Sequence, residues 1–393
     1  MIYNFDEVIE RKNTNSEKWD FNDKVFGDKD ILPMWVADMD FRVPSPVIEA
    51  IKNRAEHGIY GYTGRTGSYY DAIIGWMKKR HSFDIKKEWI VHTPGVVPSL
   101  NLAVLAFTKP GDKIIIQSPV YHPFFSAIKE NERKLVDNQL KLEAGRYVMD
   151  YENLQNKIDP DVKMIIISNP HNPVGRVWKR DELEKLGKIC LENNIIIISD
   201  EIHSDLIYKG HKHIPMASIS KELAQNTVTC IAPSKTFNIA GLQTSSVIIS
   251  DPELRTLYKD IILKIGIDMG NVFGIAALEA AYNYGEEWLE QLLEYLQANI
   301  EFMVKYFEEN IPSINIVKPE GTYLVWVDFS GLNMDKDSLK EFMIKKAKVG
   351  FNDGIMFGSK GEGYQRINVA CPRSILKDGL DRIKEALVDI GYF

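Results

Sequence analysis

The chain has little cysteine, no long apolar run and no excess of positive charge, and each shortage removes a class of function. Its three cysteines in 393 residues, Cys190, Cys230 and Cys371, are odd in number and far apart. They read as reduced thiols in or near a core, not as a disulfide framework or a zinc site. No apolar stretch approaches the roughly 20 residues a membrane helix needs, so no membrane partner is expected. The opening Met-Ile-Tyr-Asn-Phe-Asp-Glu has neither a basic leader nor an apolar signal core, which gives a cytoplasmic expectation. Net charge is −7, with acidic residues scattered among basic ones, so there is no electrostatic footprint for nucleic acid. Internal repeats and low-complexity linkers are lacking too. His211-Lys-His213 has metal-like spacing but no third ligand nearby, and it reads as a solvated loop; no metal is expected.

What is present is apolar residue in quantity. At 393 residues and 45% hydrophobic composition, the chain exceeds one core and predicts a large and a small domain. Short apolar runs, Trp89 to His92, Ile114 to Gln117, Met164 to Ser168, Ile195 to Ser199, Val228 to Ala232 and Val247 to Ile249, alternate with amphipathic stretches. Several are apolar at every position, as in strands buried on both faces of a parallel sheet. Asp181 to Asn193 places Leu183, Leu186, Ile189 and Cys190 at helical spacing, completing a strand, helix, strand unit. After about residue 285 the texture changes to one long amphipathic helix, strands near Thr322 to Asp328 and Ile367 to Ala370, and a helix over Ser338 to Lys348. The expected fold is therefore α/β, with a mostly parallel sheet between helices, plus a smaller α+β domain. The expected divisions are residues 1–44, 45–285 and 286–393.

The polar residues that carry chemistry follow strand ends, where open sheets of this type bind ligands. Lys235 sits between the run Val228 to Ala232 and the turn Asn238-Ile-Ala-Gly241. It is either a solvated lysine or an amine aimed at a cofactor. A lysine amine ordinarily titrates at ~10.4, so it must be desolvated or crowded by positive charge to react with an aldehyde. Asp200 is either a cap on a following helix or a buried carboxylate holding a proton on a ligand nitrogen. Asn172, in His-Asn-Pro, by itself reads as a turn residue. By themselves Tyr121 reads as a core aromatic and Arg366 as a surface strand arginine, whose guanidinium is a planar fork of paired donors. The turn Gly95-Val96-Val97, before a helix expected from Pro98, offers backbone N–H groups to a phosphate, and Ser234 adds a hydroxyl. The glycine-rich stretch from Gly354 to Gly363 reads as a mobile loop, and the Asp38 and Asp40 pair as local capping.

Taken in chain order, Thr93-Pro-Gly-Val-Val97, Asn169-Pro-His-Asn-Pro-Val-Gly175, Asp200-Glu-Ile-His203, Ala232-Pro-Ser-Lys-Thr-Phe237 and Arg366-Ile-Asn-Val-Ala370 resemble the pyridoxal phosphate enzymes of fold type I, in the class I/II aminotransferase superfamily. The resemblance runs from Trp35 to the last helix. It implies pyridoxal 5'-phosphate held as a Schiff base on Lys235, with Asp200 at the ring nitrogen, Asn172 and His203 toward the phenolic oxygen, and Tyr121 on the ring. Asn169, Gly95, Val96, Val97 and Ser234 complete the cofactor contacts. It further implies that Arg366 and backbone near Ala37 receive the substrate α-carboxylate and that the N-terminal segment folds onto the small domain. Tyr62, in Tyr60-Gly-Tyr62-Thr-Gly, corresponds to the residue that reaches the phosphate of a neighbouring subunit, which implies a homodimer with shared sites.

Departures from the aminotransferase pattern narrow the branch. Ala232 stands where aspartate-aminotransferase-like enzymes have a serine, and Gln243 where they have a phosphate-binding arginine. With Asp-Glu-Ile-His-Ser-Asp and Trp-Val-Ala-Asp-Met-Asp-Phe, these residues resemble the cystathionine β-lyase branch, the MalY-type C–S lyases and cysteine desulfhydrases. That resemblance implies β-elimination from cystathionine or other S-substituted cysteines, giving pyruvate, ammonia and a thiol. An aminotransferase shares every residue named so far, and a regulatory protein-binding role on the same fold is the third reading.

Overall fold

The computed structural model describes residues 2–393. The chain separates into two compact units. One comprises the chain up to Arg42, Pro173–Gly175 and Glu290–Phe393, and the other Val43–Asn172 and Arg176–Leu289. The divisions fall at 42 and 289, where the sequence led to an expectation of 44 and 285. The one element outside that expectation is the loop Pro173–Gly175, whose Gly175 carbonyl accepts hydrogen bonds from Glu320 N and Gly321 N. Gly175 has a positive φ of 69°, and a Cβ there would come within 2.4 Å of Pro319 Cβ, so both the turn and the close approach select glycine.

The larger unit is built on a seven-stranded sheet. Its strands, from one edge to the other, are Ile90–Thr93, Ser245–Ile249, Thr227–Ile231, Ile196–Asp200, Val162–Ser168, Lys113–Ile116 and Lys134–Asp137. Ser245–Ile249 pairs antiparallel with both neighbours, and the remaining pairs are parallel. Met164, Ile166, Ile198 and Val228 join helix residues Leu100, Val104, Tyr258 and Ile262 in one apolar cluster. Their alternate neighbours Ile165, Ile167 and Ile197 are equally buried, and a strand's period of two turns them to the other face. The continuous apolar runs thus reflect two covered faces. Among the described residues no helix is long and apolar enough to cross a membrane.

The smaller unit has a four-stranded antiparallel sheet in the order Asn315–Val317, Leu324–Asp328, Tyr364–Asn368, Asn352–Asp353. A short parallel pair joins Leu32–Pro33 to Val349–Gly350, so the N-terminal segment belongs to this unit through backbone pairing. Buried Trp326, Phe307 and Phe329 fill its core. The glycine stretch is not a loose loop: two 3-10 turns, Gly354–Phe357 and Ser359–Gly361, press together so that a Cβ on Gly361 would lie 1.9 Å from Gly354 O.

Candidate active site

Parallel pairing brings several of the expected residues to one edge of the large sheet. Register pairs Ser168 with Asp200 and Asp200 with Cys230, so the residues following these strands, Asn169 and the segment from Ala232, emerge side by side. Lys235 lies in a one-turn helix, Pro233–Thr236, that proline starts well because its missing N–H is not needed there. The turn closes through Phe237 N to Pro233 O and Ile239 N to Ser234 O, with Asn238 at positive φ. Lys235 and Ser234 are half-buried.

Asp200 is 3% exposed, and no helix follows it, so it is not the cap of one. Its Oδ1 accepts from Ile202 N at 3.1 Å and holds a turn. Burial pushes its carboxyl up to about 7, against the Ile202 N–H and the charge of Lys235, which pull it down, and with Glu201 adding to the rise. Asn169 precedes a cis Pro170; its N donates to Asp200 O and its Nδ2 to Ile214 O. Its buried Oδ1 has no hydrogen-bond partner among the described residues. Asn172 is buried and its N donates to Ser168 Oγ, and His203 is buried in the turn after Asp200. Tyr121 is half-buried, its ring edge-on to His122 and Phe124.

The helix expected from Pro98 begins earlier, spanning Val96–Phe107 with Gly95 as its N-cap. Val96 and Val97 therefore supply first-turn N–H groups that no intrahelical carbonyl can take. Tyr62 is 97% exposed and is not brought to the strand edge. Ala232 is buried and Gln243 exposed.

In the smaller unit, Arg366 is 3% exposed, which removes its reading as a surface arginine. Its Nη2 donates to Asn352 Oδ1 at 2.6 Å and to Trp35 O at 3.1 Å, and its guanidinium lies over the Phe357 ring at 4.9 Å. The segment around Ala37 is laid along the same strand. Asn368 Nδ2 donates to Val36 O and Asp38 O, and Ala37 O accepts from Tyr323 Oη.

Other expectations are corrected. Asp38 and Asp40 do not cap a helix; Arg11 bridges both carboxylates at 2.6 Å and the buried Lys18 meets Asp40 at 2.5 Å. His213 is not solvated but buried, its Nε2 2.9 Å from Glu201, although His211 is exposed. Among the described residues no acid, histidine and cysteine cluster suited to a metal is present. Sequence reasoning gave no role to Asn352 or Asp205. Asp205 was visible only as the last acid of Asp-Glu-Ile-His-Ser-Asp.

The family model for aminotransferase class I and II matches residues 29–383. The chain is 46% identical over 385 residues to cystathionine β-lyase PatB of Bacillus subtilis (strain 168), covering 98% of this chain and 100% of that protein. Among solved structures it superposes on a PLP-bound putative aminotransferase from Clostridium difficile 630 with TM-score 0.97 and 53% identity, over 98% and 100% of the two chains. The PLP-bound C–S lyase from Staphylococcus hominis gives TM-score 0.93 and 37% identity over 99% of each.

The residues at the strand edge suit the pyridoxal phosphate of those structures. A buried carboxylate raised to about 7 that bears one side-chain hydrogen bond, from a backbone N–H, favours a cationic neighbour such as a protonated pyridine nitrogen. A nearby lysine supplies an amine, and the Val96 helix start supplies N–H donors for a phosphate.

Proposed function

We propose that this chain, which belongs to the aminotransferase class I and II family, is a pyridoxal phosphate-dependent C–S β-lyase acting on cystathionine or related S-substituted cysteines. The observation that carries the reading is that Asp200 ends one strand and Lys235 follows the end of the strand paired beside it, together with full-length similarity to a protein named cystathionine β-lyase.

Pyridoxal phosphate, when bound, supplies an aldehyde for the amino group and a ring that accepts the electron pair left at the α-carbon. Asp200 would hold the proton on the ring nitrogen, a cation there favouring its carboxylate form. Lys235 would carry the cofactor, and its free amine would serve as the base for the α-proton. Arg366 receives the α-carboxylate with two parallel donors, and Phe357 and Asn352 fix the plane of its guanidinium. Breaking the Cβ–S bond sends its electron pair out on sulfur, and the thiolate leaves; the aminoacrylate that remains hydrolyses to pyruvate and ammonia. Asn172, His203, Asn169 and Tyr121 would orient the ring, and Ser234 with the Val96 and Val97 N–H groups would hold the phosphate. The exposed run Ile59, Tyr60 and Tyr62 supports a homodimer in which Tyr62 reaches the partner's phosphate. Buried, unpaired cysteines fit a cytoplasmic enzyme.

Aminotransfer is the second reading, favoured by the description of the Clostridium difficile structure as a putative aminotransferase. Thiol release from S-substituted cysteines by wild-type and Lys235→Ala proteins tests the proposal. Release by wild type alone, with no 2-oxo acid added, supports it; absence of thiol from every such substrate overturns it.

A further inference from the structure

We propose that Asp205, held by His81, positions Lys235 through Thr236, an inference that rests on Lys235 being the cofactor lysine. Thr236 is wholly buried, and its Oγ1 donates to Asp205 Oδ2 at 2.7 Å. The other carboxylate oxygen, Oδ1, accepts from Trp76 Nε1 at 3.0 Å and from His81 Nε2 at 2.8 Å. Both donors lie on the helix Gly67–His81. Asp205 and His81 are each buried. Burial opposes the charge on Asp205, but His81 and Thr236 outweigh it and hold the carboxyl below its ordinary range, so the residue works as a fixed anion.

The lysine's own turn needs such an anchor. Pro233–Thr236 is four residues long, and a single helical turn has almost no stability of its own. Thr236 is the residue next to Lys235, and the hydrogen bond to a charged, threefold-held carboxylate is of the strong class. On the other side, Glu201 adjoins Asp200 and is built the same way: wholly buried, it accepts from Ser199 Oγ, His213 Nε2 and Met216 N. The His81 and His213 rings meet edge to face at 5.2 Å. The sequence neighbours of Asp200 and Lys235 are therefore tied into one buried histidine pair. Two buried carboxylates are an expensive way to fill a core that apolar side chains fill at lower cost, and their place beside the two reactive residues gives the expense a reason.

The test compares Thr236→Val, which keeps shape and loses the hydroxyl, with Thr236→Ser, which keeps the hydroxyl. Read-outs are the pH dependence of the absorbance of the cofactor imine and separate kcat and KM values. For T236V, kcat falls about tenfold, or about 1.4 kcal/mol, with KM near wild type, and the imine midpoint moves away from the wild-type pH; T236S restores both. Asp205→Asn, of equal volume, shows the same pattern, and the double variant T236V/D205N loses no more than the worse single, because both cut one link. A T236V protein with wild-type kcat and imine midpoint, changed only in thermal stability, overturns the positioning role, as does additivity of the pair. Borohydride trapping of the wild type separates the two levels: label on another lysine overturns the assignment of Lys235 as well, whereas label on Lys235 beside an unaffected T236V overturns the positioning alone.

Discussion

Asn352 and Arg366 face each other across adjacent antiparallel strands, and the 2.6 Å hydrogen bond between their side chains points one edge of the guanidinium. A neutral amide does this without cancelling the charge that a substrate carboxylate needs. Arg366→Ala removes a desolvated charged partner worth about 2 to 5 kcal/mol, so kcat/KM falls by at least tenfold while cofactor absorbance stays near wild type. Asn352→Asp keeps the shape and neutralises the guanidinium, and raises KM more than it lowers kcat. Steady-state kinetics on both variants checks this.

Asp200 makes its own contribution to the pH response of the cofactor-free protein. Its folded carboxyl is raised to about 7 by burial, above the unfolded value near 4. Between these values the folded state binds the extra proton at this site, so the contribution of Asp200 to stability falls as pH rises from about 4 to about 7, by up to about 1.4 kcal/mol per pH unit, against the buried imidazoles of His92 and His171, held down at about 4, whose contribution rises over the same window. The difference in urea-unfolding free energy between apo wild type and Asp200→Asn, followed across that window, falls with rising pH and isolates this contribution from that of the histidines. Adding pyridoxal phosphate reduces the slope in wild type by supplying a cation to the carboxylate.

How far the sequence could be read depended on whether a property was local. The inner strands were legible because burial on both faces leaves an apolar residue at every position, as in Ile165, Ile166 and Ile167. The edge strands Lys134–Asp137 and Asn315–Val317 were not, since each has only two apolar residues and partial exposure. The helix expected over Ser338 to Lys348 is six α-helical residues, Lys336–Glu341, followed by a π-helical turn, Phe342–Lys346, and a 3.6-residue period does not register that change. At the site, residues just past strand ends could be found from strand patterns. Asp205 pairs with Trp76 and His81 more than a hundred residues away, and Glu201 meets His213 and Met216 only because the chain returns on itself after the strand, which no local pattern records.

The N-terminal ion cluster is a stability element. Asp40 is buried, and although burial opposes its charge, Lys18, Trp19 and Arg11 hold its carboxyl below the ordinary range. Its contribution is therefore present above the unfolded carboxyl value and is lost as pH falls through the folded one. Asp40→Ala leaves Lys18, 1% exposed, without its closest anion, and costs about 3 to 5 kcal/mol. Denaturant unfolding at neutral pH measures the loss.

Tyr62, 97% exposed in the chain by itself, yields the prediction about assembly. Tyr62→Phe and Lys235→Ala proteins, each impaired alone, regain activity when mixed, because a hybrid dimer contains one site with both residues intact. Sedimentation of active enzyme shows at least two chains; an active monomer contradicts shared sites.

The central claim is the fate of the β-carbon substituent, and the direct measurement is product stoichiometry from cystathionine with no 2-oxo acid added. Elimination consumes no amino acceptor, so pyruvate, ammonia and homocysteine appear in equal amounts over many turnovers, and alanine, which has no leaving group on its β-carbon, gives no such products. Turnover that requires a 2-oxo acid and yields a new amino acid, with no thiol released, contradicts the lyase assignment and leaves the aminotransferase in its place.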